Sequence, residues 1–131
     1  MREIKFRAWY TVEKNMYEVR CLHFHLGIVA VNFPRGEENL LLPTMAYLHN
    51  VELMQYTGHK DKNGTEIYED DIVRFIKITH TGRRVEVIGH IVWNEMDSGF
   101  SILKRSIEYP VLGEMEVIGN IYENPKLLRN T

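Results

Sequence analysis

The 131 residues carry sixteen Lys and Arg against eighteen Asp and Glu, a formal charge of −2 with a pI near 6.3. That balance disfavours nucleic-acid binding, which draws on a surplus of cations, though a local basic patch is compatible with a neutral total. The 44% hydrophobic and 26% charged composition is that of a soluble globular chain, large enough for one domain or one domain with a small appended unit. Cys21 is the only cysteine, which excludes an intramolecular disulfide and a cysteine-based zinc site and fits the reducing cytoplasm. The alternating charged and apolar residues of Met1–Arg7 do not read as a secretory signal, and no segment approaches the length of a membrane helix.

In chain order, Ile4, Phe6, Ala8 and Tyr10 alternate with Lys5, Arg7 and Trp9, a strand period. The polar run Thr11 to Asn15 turns the chain into a second strand, Met16 to Leu22, giving an N-terminal hairpin, and Ile28–Val31 supplies a third strand after Gly27. Pro34 to Asn39 breaks all periodicity and reads as a loop. Leu40 to Asn50 reads as irregular structure with a short helix, with a short strand at Thr44–Leu48 as the alternative.

From Leu53 the pattern is regular. Strands are expected at Leu53–Thr57, Asp71–Thr79, Arg84–Trp93, Phe100–Arg105 and Glu116–Tyr122. The turns between them fall at Asn63-Gly64, Thr81-Gly82, Asp97-Ser98-Gly99 and Pro110 to Gly113. Five short strands with tight turns predict a small, bent β-barrel, with Gly89 and Gly119 at bends or bulges. Trp93 shares a strand face with Val85, Val87 and Ile91 and is expected in the core. Asn124-Pro125 predicts an N-cap and a short terminal helical turn. The fold expected is mainly β with minimal helix: an N-terminal β unit and linker over residues 1–52, then a barrel over 53–131.

Candidate chemistry is sparse. His23 and His25 share one side of a strand, as a metal pair would require, but further ligands would have to come from His49, His59, His80, His90 or distant carboxylates. Solvent-facing histidines, opposite an inner face of Leu22, Phe24 and Leu26, are the simpler reading. Glu66, Glu69, Asp70 and Asp71 form an acidic cluster, yet adjacent carboxylates on a strand point to opposite faces, so a turn-forming role is expected. Cys21 lacks a flanking His or glycine elbow and reads as a half-buried strand residue, and no phosphate loop or nucleophile elbow is present. An enzyme would need a site assembled only in three dimensions.

Among the aromatics Tyr56, Tyr68, Trp93, Phe100, Tyr109 and Tyr122, the two flanking the central loop are the expected surface residues. The candidate interaction surface is therefore Tyr56, Lys60, Asp61, Lys62 and Tyr68. Arg83, Arg84, Lys104 and Arg105 near hairpin ends, with nearby aromatics, support a nucleic-acid-binding barrel as the alternative.

Several ordered segments resemble the YopX family, small proteins of phages and prophages. The opening Arg2-Glu3-Ile4-Lys5-Phe6-Arg7-Ala8-Trp9 with Asn15-Met16-Tyr17 is similar to the family's first hairpin. Leu53–Gly58 and Asp61–Tyr68 resemble its hallmark, Ile91-Val92-Trp93 the strand after it, and Glu116 to Pro125 its closing motif. Residues 23–50 and 77–90 match poorly. One departure is Glu69-Asp70-Asp71, where the family usually carries Glu-Gly-Asp; a positive φ there would strain Asp modestly. The resemblance implies a phage or prophage origin and an SH3-like barrel, and it brings no established activity, catalytic residues or cofactor.

The expectation is thus a non-enzymatic protein-binding or regulatory module in the host cytoplasm, with a host or phage protein as partner. Apolar side chains on both faces of the N-terminal hairpin, Ile4, Phe6 and Ala8 against Trp9, further predict a homo-oligomer.

Overall fold

The computed structural model describes residues 2–31, 44–111 and 114–129. Among them the mainly-β expectation holds, with eleven strands and two 3-10 turns. The strands are β1 (Phe6–Tyr10), β2 (Asn15–His23), β3 (Ile28–Val31), β4 (Thr44–Tyr47), β5 (Val51–Lys60), β6 (Glu66–Tyr68), β7 (Asp71–Ile78), β8 (Arg84–Asn94), β9 (Gly99–Lys104), β10 (Ile107–Pro110) and β11 (Glu116–Asn120). The 3-10 turns are Leu48–Asn50 and Pro125–Leu128. All pairings are antiparallel. The chain divides into two compact units, Glu3–Gln55 and Tyr56–Thr131, at a point inside β5. The loop expected at Pro34–Asn39 and the start of the irregular segment at 40–43 lie outside the described residues.

In the first unit β1 is flanked by β2 and by residues 51–55 of β5. Its core is built from small and β-branched residues, Ala8, Val29, Val31, Ala46 and Val51, closed by Tyr17. Tyr17 keeps its hydroxyl satisfied by donating to Glu13 Oε2 at 2.7 Å, as a half-polar side chain must when buried. A register shift between Val19 and Cys21 turns the alternation over, so Leu22 packs on the core while Cys21 is exposed rather than half-buried. β2 ends at His23, so Phe24 and Leu26 sit exposed in the turn to β3 instead of on an inner face. Residues 44–47, where a short strand is the alternative to irregular structure with a short helix, form β4 because they have a strand to pair with, Val31↔Thr44 through Ile28↔Tyr47. Only the following Leu48–Asn50 takes the helical turn, tied back by Leu48 N donating to Gly27 O at 2.8 Å.

The second unit is a five-stranded sheet in the order β10-β9-β8-β7-β11, together with residues 56–60 of β5 paired to β6. The strand spacing predicts a small, bent barrel; among the described residues no pairing joins β10 to β11 to close one. Its core is larger in side-chain volume: Ile67, Val73, Phe75, Val87, Ile91, Ile102 and Met115. Burying one such side chain contributes about 1.5–3 kcal/mol, so this cluster dominates the unit's stability.

The two strand glycines differ in role. Gly119 marks a register shift in the β7–β11 pair, as expected. At Gly89 the β7–β8 register is unbroken; what matters is space, since a Cβ there would meet Leu103 O at 2.6 Å. β10 includes the start of the turn expected at Pro110, since Ile107–Pro110 pairs with Lys104–Ser101, and residues 112–113 of that turn lie outside the described ones. Trp93 keeps the parity of Val87 and Ile91 but lies at the strand's end, past the core, and is 47% exposed. Asn124 precedes Pro125 without capping it; its Oδ1 instead accepts from Asn120 N at 3.2 Å.

Candidate functional site

The hallmark segment turns its polar groups inward. Gly58 takes φ +86 within a β5–β6 register shift between Tyr56 and Lys60, a backbone glycine reaches without a Cβ penalty. Thr57, buried beside it, donates its hydroxyl to Ile67 O at 2.7 Å and accepts from His59 N at 3.2 Å, replacing the ladder bonds the bulge removes. Asp61 then closes the loop. Its Oδ1 accepts from Asn63 N at 2.8 Å and Thr65 N at 2.9 Å, and its Oδ2 reaches Val117 N at 2.9 Å, tying the loop to β11. Burial opposes the charge on Asp61, but the three amides outweigh it and hold the carboxyl below its ordinary value.

The expected interaction surface is therefore corrected at two positions. Tyr56 is 5% exposed and Asp61 7%, so neither offers its side chain to a partner. Tyr68 is half-buried, its ring 5.5 Å from that of Tyr56. Lys60 and Lys62 are exposed, and Lys62 lies 3.8 Å from Glu116, which also pairs with Arg74 at 2.5 Å.

The acidic cluster is split by the turn at Glu69-Asp70 that precedes β7. Asp71 is buried and its Oδ2 accepts from Tyr68 N at 2.8 Å. Asp70 has φ +66, its N donates to Ile91 O, its O accepts from Ile121 N, and its carboxylate accepts from Tyr122 Oη at 3.1 Å. His90 is held below its ordinary pKa by burial, with the Asp70 charge opposing. Asp70 and Asp71 are thus a turn and not a pair, in line with their expected local role. His23 has Cys21 Sγ 3.3 Å from its Nε2, and His25 lies beyond the end of β2. Among the described residues no group of three His, Cys, Asp or Glu side chains could hold a metal ion.

Sequence reading misses a cleft of about 360 Å³ on the second unit, whose lining includes His59, Asn94, Asp97, Phe100, Ser101, Glu108 and Tyr109. Register builds it: Ser101 pairs with Pro110, and Phe100 with Trp93. Ser101 Oγ donates to Glu108 Oε2 at 3.3 Å, and Asn94 Nδ2 donates to Glu108 Oε2 and to Asp97 Oδ2. Among the described residues neither Asp97 nor Glu108 has an ion-pair partner. Phe100, in its lining, stacks edge-on with exposed Trp93 at 5.1 Å. The one sequence signal is the Asn94-to-Asp97 turn, where Asn94 Oδ1 accepts from Met96 N and Asp97 N. Glu108 becomes legible only once β10 is known to pair with β9.

Across nearly the whole of both units, residues 5–129, the chain matches the family model described as YopX protein. The chain belongs to the YopX protein family. A crystal structure of protein EF1440 from Enterococcus faecalis is similar at TM-score 0.68 and 28% identity, covering 98% of this chain and all of that one. Comparison with curated proteins finds no match. Among the described residues no helix is long and apolar enough to cross a membrane.

Proposed function

We propose that this YopX-family chain is a non-enzymatic protein-binding module, of the phage or prophage origin its family resemblance implies, whose docking surface is the cleft lined by the β8–β9 turn, β9 and β10. One observation carries this reading: Phe100, whose ring stacks edge-on with exposed Trp93, lines a cleft in which two hydrogen-bonded carboxylates have no cationic partner among the described residues. Aromatic anchors beside fixed polar groups are the usual makings of a binding hot spot. The occupant this chemistry fits is an extended peptide carrying Lys or Arg, its ammonium or guanidinium toward Glu108 and Asp97 and its aliphatic stem along Phe100.

An array of basic and acidic peptides read by Trp93 fluorescence tests it. Peptides containing Lys or Arg are expected to bind, and Glu108→Lys or Trp93→Ala is expected to weaken binding at least about tenfold, the scale of a hot-spot loss. Binding by the Trp93→Ala variant is followed with a labelled peptide. Equal binding by wild type and both variants, or a preference for acidic peptides, would contradict it. Self-association through the N-terminal hairpin is a separate proposal. Exposed Ile4 and Val12 support it, while the interior position of β1 in its sheet removes free strand edges from the argument. A solution mass of 15.5 kDa by light scattering would contradict it.

A further inference from the structure

The β7–β8 hairpin is longer than the sheet it belongs to. β11 pairs with β7 only over Asp71–Arg74, and β9 pairs with β8 only over His90–Asn94. Among the described residues Phe75–Ile78 and Arg84–Val87 therefore pair with nothing but each other. The result is a two-stranded ribbon with both outer edges free, tipped by a turn through Gly82 at φ +81.

Three properties of this ribbon are unusual for a chain of formal charge −2. Its exposed cations, Lys77, Arg83 and Arg84, outnumber its single acid, Glu86, which lies in the field of Arg74 at the ribbon's base. Among the described residues Arg83 and Arg84 have no ion-pair partner. The cations also lie on both faces: Lys77 is on the core-side face of Phe75 and Val87, its Nζ 5.4 Å from the centre of the Tyr109 ring, Arg84 shares the other face with Ile76 and Ile78, and Arg83 is in the turn. Finally, Ile76 and Ile78 are 48% and 67% exposed, on the face of Arg84. At the β9–β10 turn, Lys104 and exposed Arg105 add positive charge next to the ribbon's base, since Leu103 pairs with His90.

We propose that this ribbon binds duplex DNA by entering a groove. The argument is charge and shape together. The major groove admits a two-stranded β-ribbon, and it presents phosphates along both walls. Cations on both faces and at the tip suit two walls, whereas a flat anionic surface such as a lipid headgroup layer would meet one face only. Isoleucines on one face supply apolar contact to base edges without sequence-specific hydrogen bonds, so binding is largely indifferent to sequence and carried by the phosphates. The ribbon's residues are not those of the peptide cleft, although Lys77 stands over the ring of Tyr109, which lines it.

The test is fluorescence anisotropy of the full chain with a labelled random-sequence DNA duplex of about 20 base pairs at about 50 mM salt, where attraction to phosphate remains strong. Wild type is expected to bind, with the logarithm of affinity falling linearly in log salt. The variant Lys77→Ala with Arg83→Ala and Arg84→Ala is expected to bind at least about tenfold more weakly, with the slope reduced by about 0.9 for each phosphate that is no longer neutralised. A charge-matched control, Arg20→Ala with Lys126→Ala and Arg129→Ala, removes three exposed cations elsewhere and is expected to bind as wild type. Should the triple variant unfold, Arg83→Ala with Arg84→Ala at the turn is read instead, with a smaller loss in the same direction. No binding by wild type, equal loss in the control, or retention on phosphatidylserine vesicles with none on DNA would overturn the proposal.

Discussion

The hallmark loop and the β7–β8 ribbon are neighbours in sequence and opposites in construction. Between Thr57 and Asp71 the polar side chains are spent on the chain's own backbone: Thr57 on Ile67 and His59, Asp61 on three amides, Asp71 on Tyr68. Between Ile76 and Arg84 the charges and isoleucines face solvent. The segment that resembles the family's hallmark is thus a structural latch, and the surfaces proposed to meet a partner lie in segments with little distinguishing sequence. A position can be specific in a motif because the backbone needs it, with no ligand involved.

The largest effect expected from breaking the latch is at Asp61. Asp61→Ala strands three amides, and losing charge-assisted bonds of this kind costs about 3–4 kcal/mol in all, read as a lower urea midpoint. The pH dependence has a definite sign. Because the folded carboxyl titrates below its ordinary 3.8, the unfolded chain takes the proton first as pH falls. The contribution of Asp61 is therefore complete above that value and is lost as pH falls through the folded pKa. Asp61→Asn is expected to flatten this acid limb; an unchanged limb would mean the latch is not what titrates.

Next come two glycines, one in the packed sheet and one at the ribbon's tip. Gly89→Ala places a Cβ against Leu103 O, which is backbone and cannot swing away, so overpacking of about 2 kcal/mol is expected by urea unfolding. At Gly82 on the ribbon's tip no atom lies within 4 Å, and Gly82→Ala costs only the left-handed backbone penalty of about 1 kcal/mol. Equal costs would remove the distinction between packed sheet and free ribbon.

Asp70 gives a finer reading. At φ +66 its Cβ is strained, while its carboxylate accepts from Tyr122. Asp70→Gly and Asp70→Ala both remove that bond, but only the glycine relieves the backbone. Asp70→Gly is expected to be the more stable of the two by about 1 kcal/mol in thermal or urea unfolding. No difference would place the residue outside the left-handed region.

The smallest effect is at His90. Burial depresses its pKa against the pull of Asp70, so its imidazole proton is expected to titrate below 6.5 in an NMR pH series. Stability should then slip as pH falls below 6.5, where the unfolded chain protonates first. A titration above 6.5 would make Asp70, not burial, the dominant neighbour.

Much of the fold is legible in the sequence. Alternation and turn residues locate the hairpin, β3, β7, β8, β9 and β11, and the departure from the resemblance's Glu-Gly-Asp pattern points to the backbone at Asp70, whose φ is +66. The misses have physical causes. Thr44–Tyr47 has no alternation of its own and becomes a strand only because β3 offers it a ladder. Parity assigns Trp93 to the core face, but parity does not say where along a strand the core ends. Tyr56 and Asp61 look like loop-surface residues until the bulge at Thr57-Gly58 and the reach to Val117 are known, and both depend on partners far along the chain. The cleft needs the β9–β10 register, which Pro110 conceals.

Residue-resolved hydrogen exchange tests the central claim most directly, because it reads latch and ribbon in one experiment. The amides of Asn63, Thr65 and Val117, bonded to Asp61, and of Tyr68, bonded to Asp71, are expected to exchange only with global unfolding of the second unit. Amides near the ribbon's tip, at Ile78, His80 and Arg84, are expected to exchange far faster, through local opening. Latch amides exchanging at the rate of unstructured chain, or a ribbon as protected as the latch, would contradict the account.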